Sequence, residues 1–301
     1  MRRVCAVIVT YNRPELLCRC VSHLLEQDYP LDILIYDNHS SSDTRSALLE
    51  RGLLTDNVRY FYAEENTGGA GGFHNGMKMA YDMGYDDLAL MDDDGYAVNK
   101  QTISELIKGR EKVGENAIVN SLVICDESTL QLSFSMNRSY DGNQMRSMAQ
   151  DGMLKDWINP FNGTLVSSYV IEKIGYPRKE FFVYGDESEY YHRAKRNEVG
   201  LYTAVNSLYY HPTNIGNMKK VFGFNIAVGD VPMWKVYCSN RNTTYYTNLY
   251  FNKATLIKSI IRSYVNVVFC KSKRWARFKK TTEGIIDGLK GDFTKKLDLS
   301  K

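Results

Sequence analysis

No apolar run in this sequence is long enough to cross a bilayer. The longest, Ala254 to Cys270, is interrupted by Lys258 and Arg262, whereas a membrane helix needs about 20 predominantly apolar residues. A secretory leader is not expected either. Val4 to Thr10 is too short an apolar core and runs straight into Tyr11-Asn12-Arg13-Pro14. The six cysteines form no Cys-x-x-Cys pair and no disulfide-like spacing, which excludes a disulfide-stapled secreted scaffold and favours a reducing compartment. Internal repeats and low-complexity linkers are missing as well. Acidic residues are missing from one long stretch: Val231 to Thr282 holds eleven Lys or Arg and no Asp or Glu. The formal charge of +3 is therefore the balance of +11 there and −8 elsewhere. An acidic body with a basic C-terminal region suits a surface that meets anionic lipid or another polyanion.

What is present is a chain of 301 residues, 44% of them hydrophobic. That is enough for a full core, in one large domain or one domain with a helical appendage. Val4-Cys5-Ala6-Val7-Ile8-Val9 reads as a strand buried on both faces. It breaks at Thr10-Tyr11-Asn12-Arg13, and Pro14 suits the first turn of a helix whose apolar stripe is Leu17, Val21, Leu24 and Leu25. Asp32 to Tyr36 is a second strand, ending in the polar loop Asp37 to Asp43, and Val58 to Tyr62 a third. Asn66-Thr67-Gly68-Gly69-Ala70-Gly71-Gly72 follows as a loop, then a helix from about Phe73 to Met83. Strand and helix alternate four times within the first hundred residues. This predicts a parallel sheet flanked by helices, with ligands at the carboxyl ends of the strands.

Asp87 to Met91 is a short apolar run that ends in Asp92-Asp93-Asp94-Gly95. Three adjacent carboxylates repel one another, and alternate ones (Asp92 and Asp94) face the same way on extended chain. A divalent cation would hold them; a solvated acidic turn is the plainer alternative. The glycines before the third helix leave the backbone free to approach phosphate oxygens, or simply make a tight connection. They do not have the G-x-G-x-x-G spacing of a dinucleotide site, and no Lys-Ser/Thr pair follows as in a P-loop.

Ala117 to Ile124 predicts another strand, Asp126 to Gln150 a surface excursion, and the segment from Trp157 through Asn162-Gly163 opens a further strand. Asp186-Glu187-Ser188-Glu189 precedes a helix, where the carboxylates could cap its N-terminus or provide a general base. His211 ends the strand begun at Gly200 and would serve either as a structural histidine or as a third metal ligand. Beyond Val231 the sequence is helical. Trp234 to Leu249 contains Arg241-Asn242 and Tyr245-Tyr246. Leu256, Ile257, Ile260, Ile261 and Tyr264 make an apolar face flanked by Lys258 and Arg262, and Lys271 to Lys280 interleaves cations with Trp275 and Phe278. This composition suits a helix lying in a membrane interface, although charge alone does not separate that from nucleic-acid binding or a solvated face.

Taken together, Val7 to Pro14, Asp37-Asn38-His39-Ser40, Asn66 with Gly68-Gly69-Ala70-Gly71-Gly72-Phe73, Met91 to Asp94, Asp186 to Tyr190 and His211 resemble glycosyltransferase family 2 with a GT-A fold. The glycine loop and three aspartates are most similar to its galactofuranosyltransferase- and rhamnosyltransferase-like branch. The resemblance implies an α/β, Rossmann-like, mostly parallel sheet over residues 1–230, with a nucleotide-sugar half to about 98 and an acceptor half to 230. Residues 231–301 would then form a basic helical extension. It implies inverting transfer from a UDP- or dTDP-sugar to a glycan or lipid-linked glycan in cell-surface polysaccharide synthesis, by a cytoplasmic enzyme peripheral to the inner face of the cell membrane. Thr10, Tyr11, Arg13, Asp37, Asn38, Asn66, Gly68, Gly69, Gly71, Gly72 and Asp93 would bind the donor. Asp92, Asp94 and His211 would hold Mn2+ or Mg2+. Glu187 would be the catalytic base with Asp186 beside it, and Trp157, Asn162, Gly163 and Glu189 would meet the acceptor. The C-terminal helices would face anionic membrane or a second copy of the chain, and nucleic acid is not an expected partner. A departure falls at Asn162-Gly163-Thr164-Leu165-Val166, where polymerase-type galactofuranosyltransferases carry tryptophans, so donor sugar and acceptor stay open. The rival reading is a non-catalytic nucleotide-sugar or polyanion binder on the same fold; the second acid cluster, superfluous for a binder, favours the enzyme.

Overall fold

The computed structural model describes residues 2–134, 140–213, 218–221, 224–227, 231–270 and 272–299. The chain opens with β1 (Val4–Thr10), α1 (Pro14–Leu25), β2 (Asp32–Asp37), α2 (Thr44–Glu50), β3 (Val58–Tyr62), α3 (Gly68–Asp82) and β4 (Asp87–Asp92). It continues through β5 (Tyr96–Ala97), α4 (Thr102–Val113), β6 (Ala117–Asp126), β7 (Gln131–Leu132), α5 (Gly142–Met148), β8 (Met153–Lys155), β9 (Thr164–Ser167) and α6 (Ser168–Ile174). After a 3-10 turn come α7 (Asp186–Arg196) and β10 (Gly200–Tyr210). The antiparallel pair β11 (Met218–Val221) and β12 (Phe224–Ala227) precedes α8 (Met233–Tyr250), α9 (Lys253–Phe269) and α10 (Arg274–Lys290).

The chain divides into two compact units. The first is Met1–Lys179 with Tyr190–Thr213; the second is Glu180–Glu189 with Asn214–Lys301. The second unit thus takes in the segment of the second acid cluster, where composition alone suggested a break near residue 230.

In the first unit the sheet order is β3-β2-β1-β4-β9-β6-β10-β5. β3, β2, β1 and β4 run parallel, as do β6 and β10. β9 enters antiparallel between β4 and β6. The apolar runs become strands covered on both sides. Ala6 and Ile8 pack in one core with Leu17, Val21 and Leu24 of α1, while Cys5, Val7 and Val9 pack in the other with Phe73 and Met77 of α3. The chain moves outward from β1 to β3 and returns on the far side of β1 as β4. The crevice beyond the carboxyl ends of β1 and β4 is therefore a topological switch point, where such sheets bind ligands.

One boundary differs from expectation. The glycines are not a loop before a helix; they are the first turn of α3 itself. Glycine is a poor helix former, but packing overrides propensity here. A Cβ on Gly72 would run into the Val9 side chain, and one on Gly76 would come within 2.7 Å of Val7 Cγ1. Glycine at both positions lets α3 lie directly on β1.

The second unit is a helical assembly with its own interior. α10 lies against α8, because Gly288 would clash with the Arg241 carbonyl if it carried a Cβ, and a Cβ on Gly284 would lie 2.7 Å from the Tyr237 carbonyl oxygen. Arg241 and Arg277, counted above among the tail's cations, are buried. The basic region is thus partly a core, and only part of its charge faces solvent. Among the described residues, no helix is long and apolar enough to cross a membrane.

Candidate active site

β1 and β4 pair in register with Val9 beside Asp92, and β1 pairs with β2 so that Thr10 stands beside Asp37. The strand ends thereby bring Thr10, Asp37 and Asp92–Asp94 to one edge of the sheet. Asp92 ends β4, and Asp93 and Asp94 form the turn that follows, closed by Gly95 N donating to the Asp92 carbonyl. Asp93 turns inward, is buried, and accepts hydrogen bonds from Thr10 Oγ1 at 2.8 Å and Arg13 Nη1 at 3.1 Å. Burial holds its carboxyl above the usual range despite Arg13 and Thr10.

Asp92 and Asp94 turn the other way, toward His211 at the end of β10. His211 Nε2 lies 3.2 Å from Asp94 Oδ1 and 3.8 Å from Asp92 Oδ2. The opposite ring nitrogen, Nδ1, is 2.7 Å from the Pro212 carbonyl oxygen. A carbonyl only accepts, so Nδ1 carries hydrogen and Nε2 faces two carboxylates. That arrangement calls for a proton or a metal ion between them. Burial lowers the basicity of His211, but its hydrogen bond to Asp94 and the charges of Asp92 and Asp94 outweigh it and hold the imidazole above its ordinary value. Asp94 is shifted down by the same partnership and by Arg13, against its own burial. The backbone behind this cluster is fixed: Tyr209 Oη donates to the Asp92 carbonyl at 3.1 Å, Ser133 Oγ to the His211 carbonyl at 2.6 Å, and Arg19 to the Asp94 carbonyl at 3.1 Å.

The donor set fits a hard divalent cation. Ligand atoms of Asp92, Asp94 and His211 all lie within 4.8 Å of one another. Adjacent ligands on an octahedral ion with bonds near 2.1 Å stand about 3 Å apart, close to the 3.2 Å between Asp94 and His211.

The other expected donor residues divide into free and committed groups. Tyr11 is exposed and Arg13 half exposed, its guanidinium bridging Asp93 and Asp94. Gly69 has open space where a Cβ would stand. Asp37 and Asn38, also expected on the donor side, are buried and engaged. Asp37 accepts from Ser40 N and Tyr60 Oη. Asn38 donates to Asn66 Oδ1 and the Gly68 carbonyl and accepts from Thr67 N and Oγ1. Asn66 Oδ1 also accepts from Gly68 N at 2.8 Å. These residues tie the end of β2 to the start of α3. Gly68 contributes a positive φ of 72° there, and Gly71 leaves room for the Thr67 side chain. Asn12, to which sequence reasoning gave no role of its own, does similar work: its Oδ1 accepts from Ser41 N and Ser42 N.

Trp157, Asn162 and Gly163, expected to meet the acceptor, all lie in packed surroundings. Trp157 belongs to a core with Leu122, Leu154 and Val205. Asn162 is buried, and Gly163, at φ 65°, sits so close to Ser121 and Tyr209 that no side chain fits.

In the second unit, Asp186 begins α7 and is buried, with its carboxyl near the backbone N–H groups of Asp186 and Glu187 at the helix start. Glu187, the next residue, is exposed. Desolvation, and for Glu187 the adjacent Asp186 charge, push both carboxyls up. Glu189, expected to meet the acceptor, is wholly buried and accepts from Tyr250 Oη at 2.8 Å.

Comparison with known proteins adds the identity of this scaffold. The family model described as "Glycosyl transferase family 2" matches residues 5–175, more than half of the chain. The chain belongs to glycosyl transferase family 2. This family 2 member is 30% identical over 223 residues to galactofuranosyltransferase GlfT1 of Mycobacterium tuberculosis (strain CDC 1551 / Oshkosh), covering 72% of this chain and 73% of that protein. Among solved structures it resembles mannosyltransferase PcManGT from Pyrobaculum calidifontis in complex with GDP-Man and Mn2+. There the TM-score is 0.57 at 14% identity, over 98% of this chain and 88% of the other. S. aureus TarS 1-349 gives 0.53 at 13% identity, over 99% and 76%. The fold is GT-A, and the chain is a glycosyltransferase.

Proposed function

We propose that this enzyme transfers a furanosyl or deoxyhexosyl residue, galactofuranose or rhamnose, from a UDP- or dTDP-sugar to a glycan or lipid-linked glycan, with inversion and with Mn2+ or Mg2+. The observation that carries the proposal is the cluster of Asp92, Asp94 and His211 Nε2 at the switch point of the sheet. The match to a galactofuranosyltransferase over 72% of the chain supports the sugar class.

In this reading Tyr11 stacks on the nucleobase, and the half-buried backbone at Gly69, in the first turn of α3 with open space beside it, approaches the donor. Arg13 is already held against Asp93 and Asp94 and keeps positive charge beside the diphosphate. Asp92, Asp94 and His211 would hold the divalent ion, which would supply further positive charge beside the leaving diphosphate. Glu187 accepts the proton of the acceptor hydroxyl as its oxygen bonds to the anomeric carbon and the sugar–phosphate bond breaks. The accessibility of Glu187, against the capping role of Asp186, supports Glu187 as the base. Its raised pKa matches a group that must exchange protons near neutrality.

We place the enzyme peripherally on an anionic membrane surface. Ile257, Ile261 and Val268 are exposed and recur along one face of α9, with exposed Lys253 and Lys258 nearby and Trp275 exposed on α10. This supports an interfacial helix. The test of the reaction is release of nucleoside diphosphate from UDP-galactofuranose and dTDP-rhamnose with a rhamnose- or galactofuranose-terminated acceptor, with Mn2+ and with chelator. Turnover of neither donor, or turnover unaffected by chelation, overturns the assignment.

A further inference from the structure

The segment leading into α7 has an unusual backbone. Phe182, Tyr184 and Gly185 all have positive φ, at 63°, 65° and 82°. Two aromatic residues in the left-handed region are disfavoured by contact between Cβ and the backbone, so surrounding structure must hold them. Two side chains of α8 do so. Arg241 and Asn242 are both buried. Asn242 Nδ2 lies 2.9 Å from the Phe181 carbonyl, 2.9 Å from that of Val183 and 2.7 Å from that of Tyr184. Arg241 Nη2 donates to the Glu180 and Phe181 carbonyls at 2.9 and 3.2 Å. Arg241 Nε donates to Asn242 Oδ1 at 2.9 Å. That bond decides which way the amide points: the oxygen is taken by the guanidinium, so the NH2 must face the loop. The guanidinium is itself sandwiched, 4.7 Å from the Phe293 ring centroid and 5.3 Å from that of Tyr237. Gly185 completes the fit, since a Cβ there would stand 3.3 Å from Tyr246 and 3.4 Å from Asn242.

The loop wraps the Asn242 amide and then delivers Asp186 and Glu187 at the first turn of α7. We infer that Arg241 and Asn242 are positioning residues for the reaction: they set the loop that aims the Glu187 carboxylate. This rests on Glu187 being the base. It explains why α8 carries a buried Arg-Asn pair whose hydrogen bonds run to the backbone of this loop and to each other.

The test is a double-mutant cycle on the full chain, with donor affinity by calorimetry (UDP and Mn2+), kcat and KM for the acceptor, and melting temperature. Asn242→Ala is expected to lower kcat by about 10²-fold, the scale of a misplaced catalytic group, with UDP affinity unchanged. In the Glu187→Gln background the same change is expected to lower residual turnover no further, because its effect is exerted through the carboxylate it no longer aims. An equal loss in both backgrounds overturns the inference, as does normal kcat in Asn242→Ala while Glu187→Gln is impaired. Near-normal turnover in Glu187→Gln alone instead overturns the base assignment, and the inference with it. Should Asn242→Ala not fold, Arg241→Lys keeps the charge but loses the Nε donor that orients the amide. It is read by the same cycle, with a smaller loss of kcat expected in the same pattern.

Discussion

His211 Nε2 stands 3.2 Å from Asp94 Oδ1 while the other face of the same ring is anchored to a backbone carbonyl. The ring can therefore neither rotate away nor present the other nitrogen without losing a hydrogen bond, which is how metal-binding histidines are usually oriented. Asp92→Asn and Asp94→Asn each replace an anionic ligand with a neutral amide. Each is expected to weaken Mn2+-dependent UDP binding in calorimetry, the double variant to abolish the Mn2+ dependence, and His211→Ala to have a milder effect. Mn2+ dependence preserved in the double variant would remove this cluster from the reaction.

The glycines of α3 divide into two tests. Gly72 lies against Val9 with no room for a methyl group, so Gly72→Ala is expected to cost about 1–3 kcal/mol by overpacking, seen as a lower melting temperature. Gly69 faces open space and has no positive φ. Gly69→Ala should leave the fold intact or stabilise it by up to about 1 kcal/mol, yet lower nucleotide-sugar affinity if the donor approaches that backbone. Unchanged affinity in Gly69→Ala would place the donor elsewhere.

Much of this arrangement was legible in sequence because it is local. β1, β2 and β4 announce themselves as largely apolar runs buried on both faces, and parallel sheets with crossover helices put their ends together. Asp92, Asp94 and His211, the metal set that the family resemblance implies, lie in one cluster. What was illegible depends on distant partners. Nothing in Thr164–Ser167 says that it will run antiparallel between β4 and β6. The glycines looked like a loop because propensity is a local measure, while their reason lies in Val7 and Val9. Trp157 looked like an acceptor platform, but its neighbours Leu122 and Val205 come from other strands. Arg241-Asn242 gave a faint signal, an Arg-Asn pair within an aromatic helix, with no indication of the loop it holds.

The exposed face of α9 gives a membrane prediction that spares the core. Removing α10 would strip α8 of its partner, so substitution is preferable to truncation. Lys253 and Lys258 are both exposed, and each basic residue near an anionic surface contributes roughly fivefold in binding. Lys253→Ala with Lys258→Ala should weaken co-sedimentation with phosphatidylserine vesicles about thirtyfold, and Ile257→Ser with Ile261→Ser should weaken it further. Equal co-sedimentation of all variants would show that this face meets something else.

The last prediction joins chemistry to stability at Asp186 and Glu187. Both carboxyls are pushed above the range they have in an unfolded chain, about 4. The folded state therefore keeps protons that the unfolded state has already released, and stability falls as pH rises from near 4 until both groups have ionised. Glu187→Gln removes one of these ionisations without changing shape. Its melting temperature should match wild type at pH 4 and exceed it by a margin that grows toward pH 8. Its turnover should meanwhile fall about 10²–10⁴-fold through loss of the base, with UDP affinity retained. Asp186→Asn should also gain stability with pH, offset by the weaker capping of α7 by an amide than by a carboxylate at the positive end of the helix. Its main kinetic effect is expected on acceptor KM. A margin that does not grow with pH would mean that Glu187 is ordinarily solvated. Near-normal turnover in Glu187→Gln alongside an inactive Asp186→Asn would transfer the role of base to Asp186.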